Sequence, residues 1–572
     1  MADEPSSDSL AASARERRTK VWIRLAMLVV AMGLGGWLRL ADLEHAGPIL
    51  WDDAYMQLEA RFFASGAHAL AESAARWREE RHTGQDLWKL DAEVARIRAA
   101  TAGEPPFYGR PAHTAATLAA MAVFGDVPFA ACLASAVLGW LTIPLAGRLG
   151  ERLGATLGER AGAIAGPVTT LALAFAPYHV LYSREGFSEG ASLFFVGIAL
   201  NLYLRSRDRL GAEPLRGTAL AGVALGVMIL GHARWAILGP LVLALEVEGW
   251  RAARLPFDRG VARLGRLGFF AALPLLAAEI PYYGVLLLNR RLADPLPVHT
   301  YLEQNLYQFA LGSGGGTNPA NWPTYPYLFS QVNGFGWCAA LVVGLVGCAA
   351  WARGAARLLP LLLLAIPGAL FSMSRVAHMR YGVVLTFAAA LVIGVGLAAL
   401  LAERSPRVRL AAAALGVLVC GEMLGHALTL RATRYAWPDA IAWLRAHGNV
   451  RHVSTQAYVS EVYTSGAAAA FVPETIGDLE RLVRDGHRYL VADVAEAALR
   501  YNPKFAARFA VYEEAIRGRT PVARFANPEG RFLQPKFEMN FDFHGTLEFI
   551  RTAHERGDDE IRIYDLTSER SR

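Results

Sequence analysis

Hydrophobic residues fall in long blocks over the first 430 positions. Apolar runs cover Val21–Leu40, Pro128–Gly147, Ala161–Leu181, Ser188–Leu204, Gly217–Leu230, Ala233–Val247 and Leu267–Leu288, and then Val332–Ala350, Leu358–Phe371, Tyr381–Leu401 and Leu410–Leu430. Crossing a bilayer as a helix takes roughly 20 apolar residues, so the pattern predicts a mainly α, polytopic membrane protein of about eleven transmembrane helices, several of them short. Pro111–Phe124 is too short to cross and is expected to be an interfacial or re-entrant helix. The first run follows the basic stretch RERRTK and has no small-residue cleavage site after it, which reads as a retained span rather than a signal peptide. Residues before Arg15 are expected to be disordered.

The polar connections set the sides. Arginine gathers in Arg148–Arg160, Arg205–Arg216, Arg251–Arg266, Arg353–Arg357 and Arg404–Arg409. Cationic loops stay on the cytoplasmic side. With the basic N-terminus inside and Pro111–Phe124 not crossing, all five loops fall inside. The outer face then receives the long loops 41–127 and 289–331, the turns Tyr182–Phe187 and Ser372–Arg380, and everything after Arg431. The expected location is the inner or plasma membrane, multi-pass, with the chemistry on the extracytoplasmic side. Gly312–Gly316 (GSGGG) marks a flexible tip in the second long loop, suited to a mobile lid.

After Arg431 the apolar residues thin and short helix and strand patterns alternate. Pro438–His447 suits a helix, Arg451–Thr455 a strand, Asp478–Arg484 a helix and Arg488–Asp493 a strand. The division is therefore a transmembrane domain over 1–430 and a soluble extracytoplasmic α/β domain over 431–572. The latter has no glycine-rich phosphate fingerprint and reads as a lid or acceptor-recognition module.

Composition agrees: 54% of residues are hydrophobic and 19% charged, a more apolar balance than soluble proteins show. The net charge of +6 comes largely from the arginine loops, which excludes nucleic acid as the partner it would otherwise suggest. Cys132, Cys338, Cys348 and Cys420 lie within apolar runs and imply no disulfide framework.

Ionisable residues collect on the expected outer face: Asp52 and Asp53 in WDDAYMQLEARFFASG, Glu104 and Arg110 in GEPPFYGRP, Arg184, Glu185 and Glu189 in YSREGFSEG, His232 and Arg234, and His378, Arg380 and Tyr381 in AHMRY. Arginine binds phosphate through a fork of donors and keeps its charge near low dielectric. A carboxylate can take a proton from an acceptor hydroxyl. Each residue also has an ordinary structural reading: an Asp can cap the helix that follows, and arginines can anchor at headgroups or pair with a neighbouring glutamate. Glu279 and Glu422 lie inside spans, where an acid is costly and marks function by default.

The order of these motifs resembles the GT-C superfamily of polyprenyl-phosphate-sugar-dependent glycosyltransferases, of the protein O-mannosyltransferase and aminoarabinose transferase type. It is carried by the acidic pair, the basic-Pro motif opening a short helix that ends in FG, the "YSREG…E" turn, the late "RY", and "AIAWLRAHG…VSTQ" in the C-terminal segment. The resemblance implies Asp52 as catalytic base on the acceptor, with Asp53 beside it, and Arg110 holding the donor phosphate; Arg184 and Arg380, on the same expected face, are the arginines expected to grip that phosphate with it. Glu189, Arg234, His378 and Tyr381 are the companion substrate-binding candidates. Asp53 stands where the family has glutamate, and the family's double proline is here Pro111-Ala112. A metal-ligand role would fall to Glu104, several residues upstream of Arg110; a divalent metal stays open and no other cofactor is called for. The implied partners are a polyprenyl-phosphate-linked sugar, a protein, lipid or glycan acceptor, and membrane lipid. Two other classes fit the same surface, a lipid-linked oligosaccharide ligase or polymerase and a transporter of such lipids. The second should show internal repeats, and none is visible.

Overall fold

The computed structural model describes residues 7–47, 51–83, 110–210, 215–289, 300–303, 318–373, 379–432, 434–448, 450–464, 468–493, 506–526 and 560–568. In chain order the helices are α1 (Ser7–Leu40), α2 (Trp51–Thr83), α3 (Pro111–Phe124), α4 (Ala130–Ala155), α5 (Glu159–Ala174), α6 (Pro177–Arg184), α7 (Ser188–Arg207), α8 (Leu215–Gly231), α9 (Gly239–Ala252) and α10 (Phe257–Asn289). They continue with α11 (Thr324–Val332), α12 (Phe335–Ala350), α13 (Gly354–Met373), α14 (Gly382–Leu401) and α15 (Pro406–Arg431). Among the described residues five helices are long and apolar enough to cross a membrane, or six if a bent pair is one span. The protein is thus mainly helical and of multi-pass type, with a small sheet near its C-terminus.

Most apolar runs became the helices expected of them, with three differences. Helix α1 starts at Ser7, so residues 7–14 are helical where disorder is expected, and residues 1–6 lie outside the described residues. The run Ala161–Leu181 is broken into α5 and α6, bent by 55°. Pro177, which lacks an N–H and constrains the residue before it, sits at the break. The run Ala233–Val247 opens as a 3-10 turn over Ala233–Leu238 and turns α-helical only at Gly239.

The arginine-rich connections meet at one end of the bundle, as the charge pattern predicts. Arg152 of α4 pairs with Asp208 after α7 at 3.6 Å, and Arg207 pairs with Glu248 of α9. A Cβ on Gly354, which opens α13, would lie 3.0 Å from Glu248 Oε1. At this end Arg263 of α10 grips buried Glu246 of α9 with bonds of 2.9 and 3.2 Å. Helix α3 packs against the start of α4, at the opposite end. Its first turn is beside the start of α7, and the loop after it returns to α2, where Asp126 accepts from Gln57 at 3.1 Å and Arg61 at 2.8 Å.

The C-terminal segment holds α16 (Trp437–Ala446), β1 (His452–Ser454), α17 (Ala457–Thr464), β2 (Ala469–Phe471), α18 (Ile476–Arg484), β3 (Tyr489–Ala492), α19 (Ala506–Ile516), β4 (Ala523–Ala526) and β5 (Glu560–Asp565). They form one sheet in the order β2-β1-β3-β5-β4. The first three strands are parallel, and β5 pairs antiparallel with both β3 and β4. Strands β1 and β3 are buried throughout, as expected of a sheet covered on both faces. One face packs with α16, α17 and Ala54 and Leu58 of α2, the other with α18 and α19. The four elements anticipated after Arg431 are present; α17, β2, α19, β4 and β5 were not anticipated.

Candidate functional site

Four chain segments end together around Glu189, in the first turn of α7. The Glu189 carboxylate is almost wholly buried; its Oε1 lies 3.1 Å from Arg380 Nε in an ion pair and 3.3 Å from His232 Nε2. Arg380 arrives on a 3-10 turn over Met379–Tyr381 that opens α14, and His232 stands where α8 ends. Arg110, at the N-cap of α3, and Arg234 both act electrostatically on Glu189. Arg234 also lies over the Tyr381 ring at 4.2 Å, a cation–π contact that orients its charge. Ser192, Trp235 and Phe371 help line a small cleft with Glu189, His232, Arg234 and Tyr381.

Among the described residues the guanidiniums of Arg110, Arg234 and Arg380 gather about the Glu189 carboxylate. Such a cluster of fixed donors in low dielectric is suited to a multiply charged anion. Arg110, Arg380, Glu189, Arg234 and Tyr381, expected from sequence as separate outer-face residues, are therefore drawn to one end of the bundle.

Helix α2 supplies the acids. Asp52 and Asp53 stand in its first turn, so they follow the cap position instead of occupying it; their side chains lie outside the described residues. One face further along, Glu59 is fully buried and its Oε2 accepts from Thr114 Oγ1 at 2.7 Å, one turn after Arg110. Sequence reading passed over Glu59, although seven residues from Asp52 is two helical turns on the same face. It also passed over His113, whose Nε2 meets Ser135 Oγ at 2.9 Å and which senses both Glu189 and Arg110. Glu104, His378 and Gly312–Gly316 lie outside the described residues. Among the described residues no three His, Cys, Asp or Glu side chains converge as a metal site.

Arg184, expected with the phosphate-binding arginines, is engaged elsewhere. Its guanidinium donates to the carbonyls of Leu38, Arg39 and Ala41 at 3.1, 3.3 and 2.7 Å, and to that of Asp42 at 3.4 Å. It closes the open C-terminus of α1, whose last carbonyls have no helical partner. Glu279 and Glu422 have structural partners too. Glu279 Oε1 accepts from the backbone N–H of Leu302 at 2.7 Å, beside a capping box in which Thr300 and Glu303 bond each other's N–H groups at 3.0 and 3.2 Å. Glu422 accepts from Phe335 and Gly336 N–H at 3.0 and 2.9 Å, capping α12 from across the bundle. Gly334, at φ 89°, makes that approach possible, because a Cβ there would overlap the carboxylate.

No protein-family model matches the chain, and no curated protein does. Solved structures do. The crystal structure of ArnT from Cupriavidus metallidurans bound to undecaprenyl phosphate superposes with a TM-score of 0.54, at 14% identity, over 96% of this chain and 99% of that one. The apo-state structure of the same ArnT aligns at a TM-score of 0.36 and 12% identity, over 90% of this chain and 96% of that one. At this identity the likeness is one of fold.

Proposed function

We propose that the protein transfers a sugar from a polyprenyl-phosphate donor to an acceptor hydroxyl at the outer face of a bacterial-type inner or plasma membrane. The observation that carries this reading is the cluster of Arg110, Arg234 and Arg380 about Glu189, beside the helix that begins with Asp52 and Asp53. Its support is the fold, which in ArnT holds undecaprenyl phosphate. On this reading residues 1–430 form a GT-C-like domain of about eleven spans, by the same length rule, and 431–572 form an extracytoplasmic α/β domain. The donor phosphate docks on Arg110, Arg234 and Arg380, with Glu189 and His232 holding Arg380 in place beforehand. Asp52 accepts the proton as the acceptor oxygen forms its bond to the anomeric carbon. The bond from that carbon to the phosphate oxygen breaks on the opposite side, so the centre inverts and polyprenyl phosphate leaves. The guanidiniums stabilise the charge it gains, an effect typically worth a few kcal/mol per well-placed donor, about 3.

The test is purified protein in liposomes with radiolabelled polyprenyl-phosphate sugar and a panel of hydroxyl acceptors, pentosyl and hexosyl donors compared. Label appearing in an acceptor with release of polyprenyl phosphate is the expected result. Passage of intact donor across the bilayer without bond cleavage would replace the reading by transport.

A further inference from the structure

The break between α5 and α6 leaves backbone carbonyls without helical donors, and side chains from elsewhere substitute for them. Pro177 has no N–H for the Leu173 carbonyl. The Tyr178 N–H, which a continuous helix would give to Ala174, goes instead to Asn333 Oδ1 at 3.0 Å. Arg39, in the last turn of α1 and fully buried, takes both abandoned acceptors: Nη2 donates to Leu173 O at 3.2 Å and Nη1 to Ala174 O at 3.0 Å. It also bonds Gly35 O at 2.8 Å and His179 Nδ1 at 2.7 Å. Trp337 Nε1 takes the carbonyl one residue earlier, Ala172, at 3.4 Å. A buried cation whose bonds go to carbonyls and an imidazole is an expensive arrangement in a membrane domain, and here it has a specific geometric consequence.

Helix α6 touches both halves of the Glu189–Arg380 pair. Tyr178 donates its hydroxyl to the carbonyl of Met379, adjacent to Arg380, and its ring fills the space a Cβ on Gly382 would need. At the other end the carbonyl of Tyr182 lies against Gly190, next to Glu189, where a Cβ would overlap it. The angle of α6 therefore decides where Glu189 and Arg380 meet. We infer that Arg39 is a positioning residue for the transfer site: by satisfying the carbonyls freed at the break it holds α6 at the bend that aligns Glu189 with Arg380. This rests on the proposed role of that pair in donor binding.

The experiment compares Arg39→Gln, Arg39→Lys and the double variant Arg39→Gln/Pro177→Ala as full chains in nanodiscs, by hydrogen exchange, thermal stability and transfer kinetics. Arg39→Gln is expected to raise exchange across residues 177–184 and 379–382, and to cut kcat/KM for the donor on the order of 100-fold, the scale of an ångström of misplacement. The double variant regains an N–H for the Leu173 carbonyl, so it should recover thermal stability by straightening the helix while transfer stays low. Arg39→Lys, which can serve the carbonyls but not as a fork, should fall between, and carries the test if Arg39→Gln does not accumulate. Wild-type exchange at 379–382 in the Arg39 variants would overturn the inference, and so would full transfer by the double variant. If the unsubstituted protein transfers no sugar, the proposed function falls, whereas the exchange data still decide whether Arg39 sets the pair.

Discussion

Asp52 and Asp53 share the first turn of α2, where free N–H groups and the helix dipole favour ionised carboxylates. A base needs its charged form, so the location suits the proposed role as well as it suits a structural one, and substitution separates the two. Asp52→Asn keeps size and hydrogen bonding but removes the proton acceptor; transfer should fall by roughly 10²–10⁴-fold with donor binding retained. Asp53→Asn should cost less, and equal losses would point to a functional pair. The arginines separate in the same way. Lysine at Arg110 or Arg380 keeps a charge without the planar fork, and is expected to raise the donor KM by about tenfold or more, alanine by more still. Arg184→Lys should leave donor KM near wild type and lower thermal stability instead, since its bonds close α1. Unchanged KM in the Arg110 and Arg380 variants would remove the clamp. The charges themselves were legible in the sequence because ionisable residues stand out against the apolar runs they border. Their pairing was not, since Glu189, Arg380 and His232 come from distant segments, and nothing local shows that Arg184 meets backbone carbonyls while Arg380 meets a carboxylate.

Elements were legible to the extent that burial is one-dimensional. The long apolar runs became helices because backbone groups in hydrocarbon must bond within the segment. The bend at Pro177 and the 3-10 turn after His232 were hidden, because they depend on substitutes such as Arg39 and Asn333 that sit far away in the chain. Helix α2 is held by one such latch: Gln57, fully buried, donates to Asp126 and to Val127 O and accepts from Ala131 N–H at 2.9 Å. Arg61 extends it to the carbonyl of Val462 in α17 at 2.8 Å. Gln57→Ala leaves the Ala131 N–H buried and unbonded and should lower stability by about 1–3 kcal/mol, read as a fall in thermal midpoint. Strands β1 and β3 were legible as short apolar stretches, whereas β2, β4 and β5 were not, β2 and β4 being only three and four residues long and too short to show a period. In β1, burial pulls the His452 imidazole down to about 4. The unfolded chain then takes up a proton below about pH 6.5 that the folded strand refuses, so stability is present above that pH and drains away as pH falls toward 4, by about 1.4 kcal/mol per unit. Hydrogen exchange in β1 and β3 between pH 7 and 5 should show the loss, and His452→Gln should abolish its pH dependence. Asp565, raised by burial but held down to about 2 by Arg488 and Thr567, loses its contribution only in stronger acid and does not obscure that window.

At the scale of the whole molecule the two ends of the bundle differ in kind. One end gathers the arginine loops, held by Arg207–Glu248 and Arg263–Glu246. The other gathers α3, the start of α2, the Glu189 cluster and the sheet, joined through Arg61, Tyr435 and Arg431. Tyr435 donates to Glu185 at 3.0 Å, and Arg431 meets Asp42 at 2.7 Å. The sheet therefore sits on the site end, tied to the helix that carries the acidic pair. The sequence pattern anticipated this polarity from arginine placement alone, because the positive-inside bias acts on loops irrespective of how the helices pack. The same bias makes the orientation measurable. Glu403, between α14 and α15, and Glu480, on α18, are both exposed and lie toward opposite ends. In a background with Cys132, Cys338, Cys348 and Cys420 replaced by serine or alanine, a cysteine at Glu480 should react with an impermeant maleimide added to intact cells. One at Glu403 should react only after the membrane is opened. The reverse pattern would put the arginine loops outside and place the Glu189 cluster on the cytoplasmic face, where an outward-facing donor could not reach it.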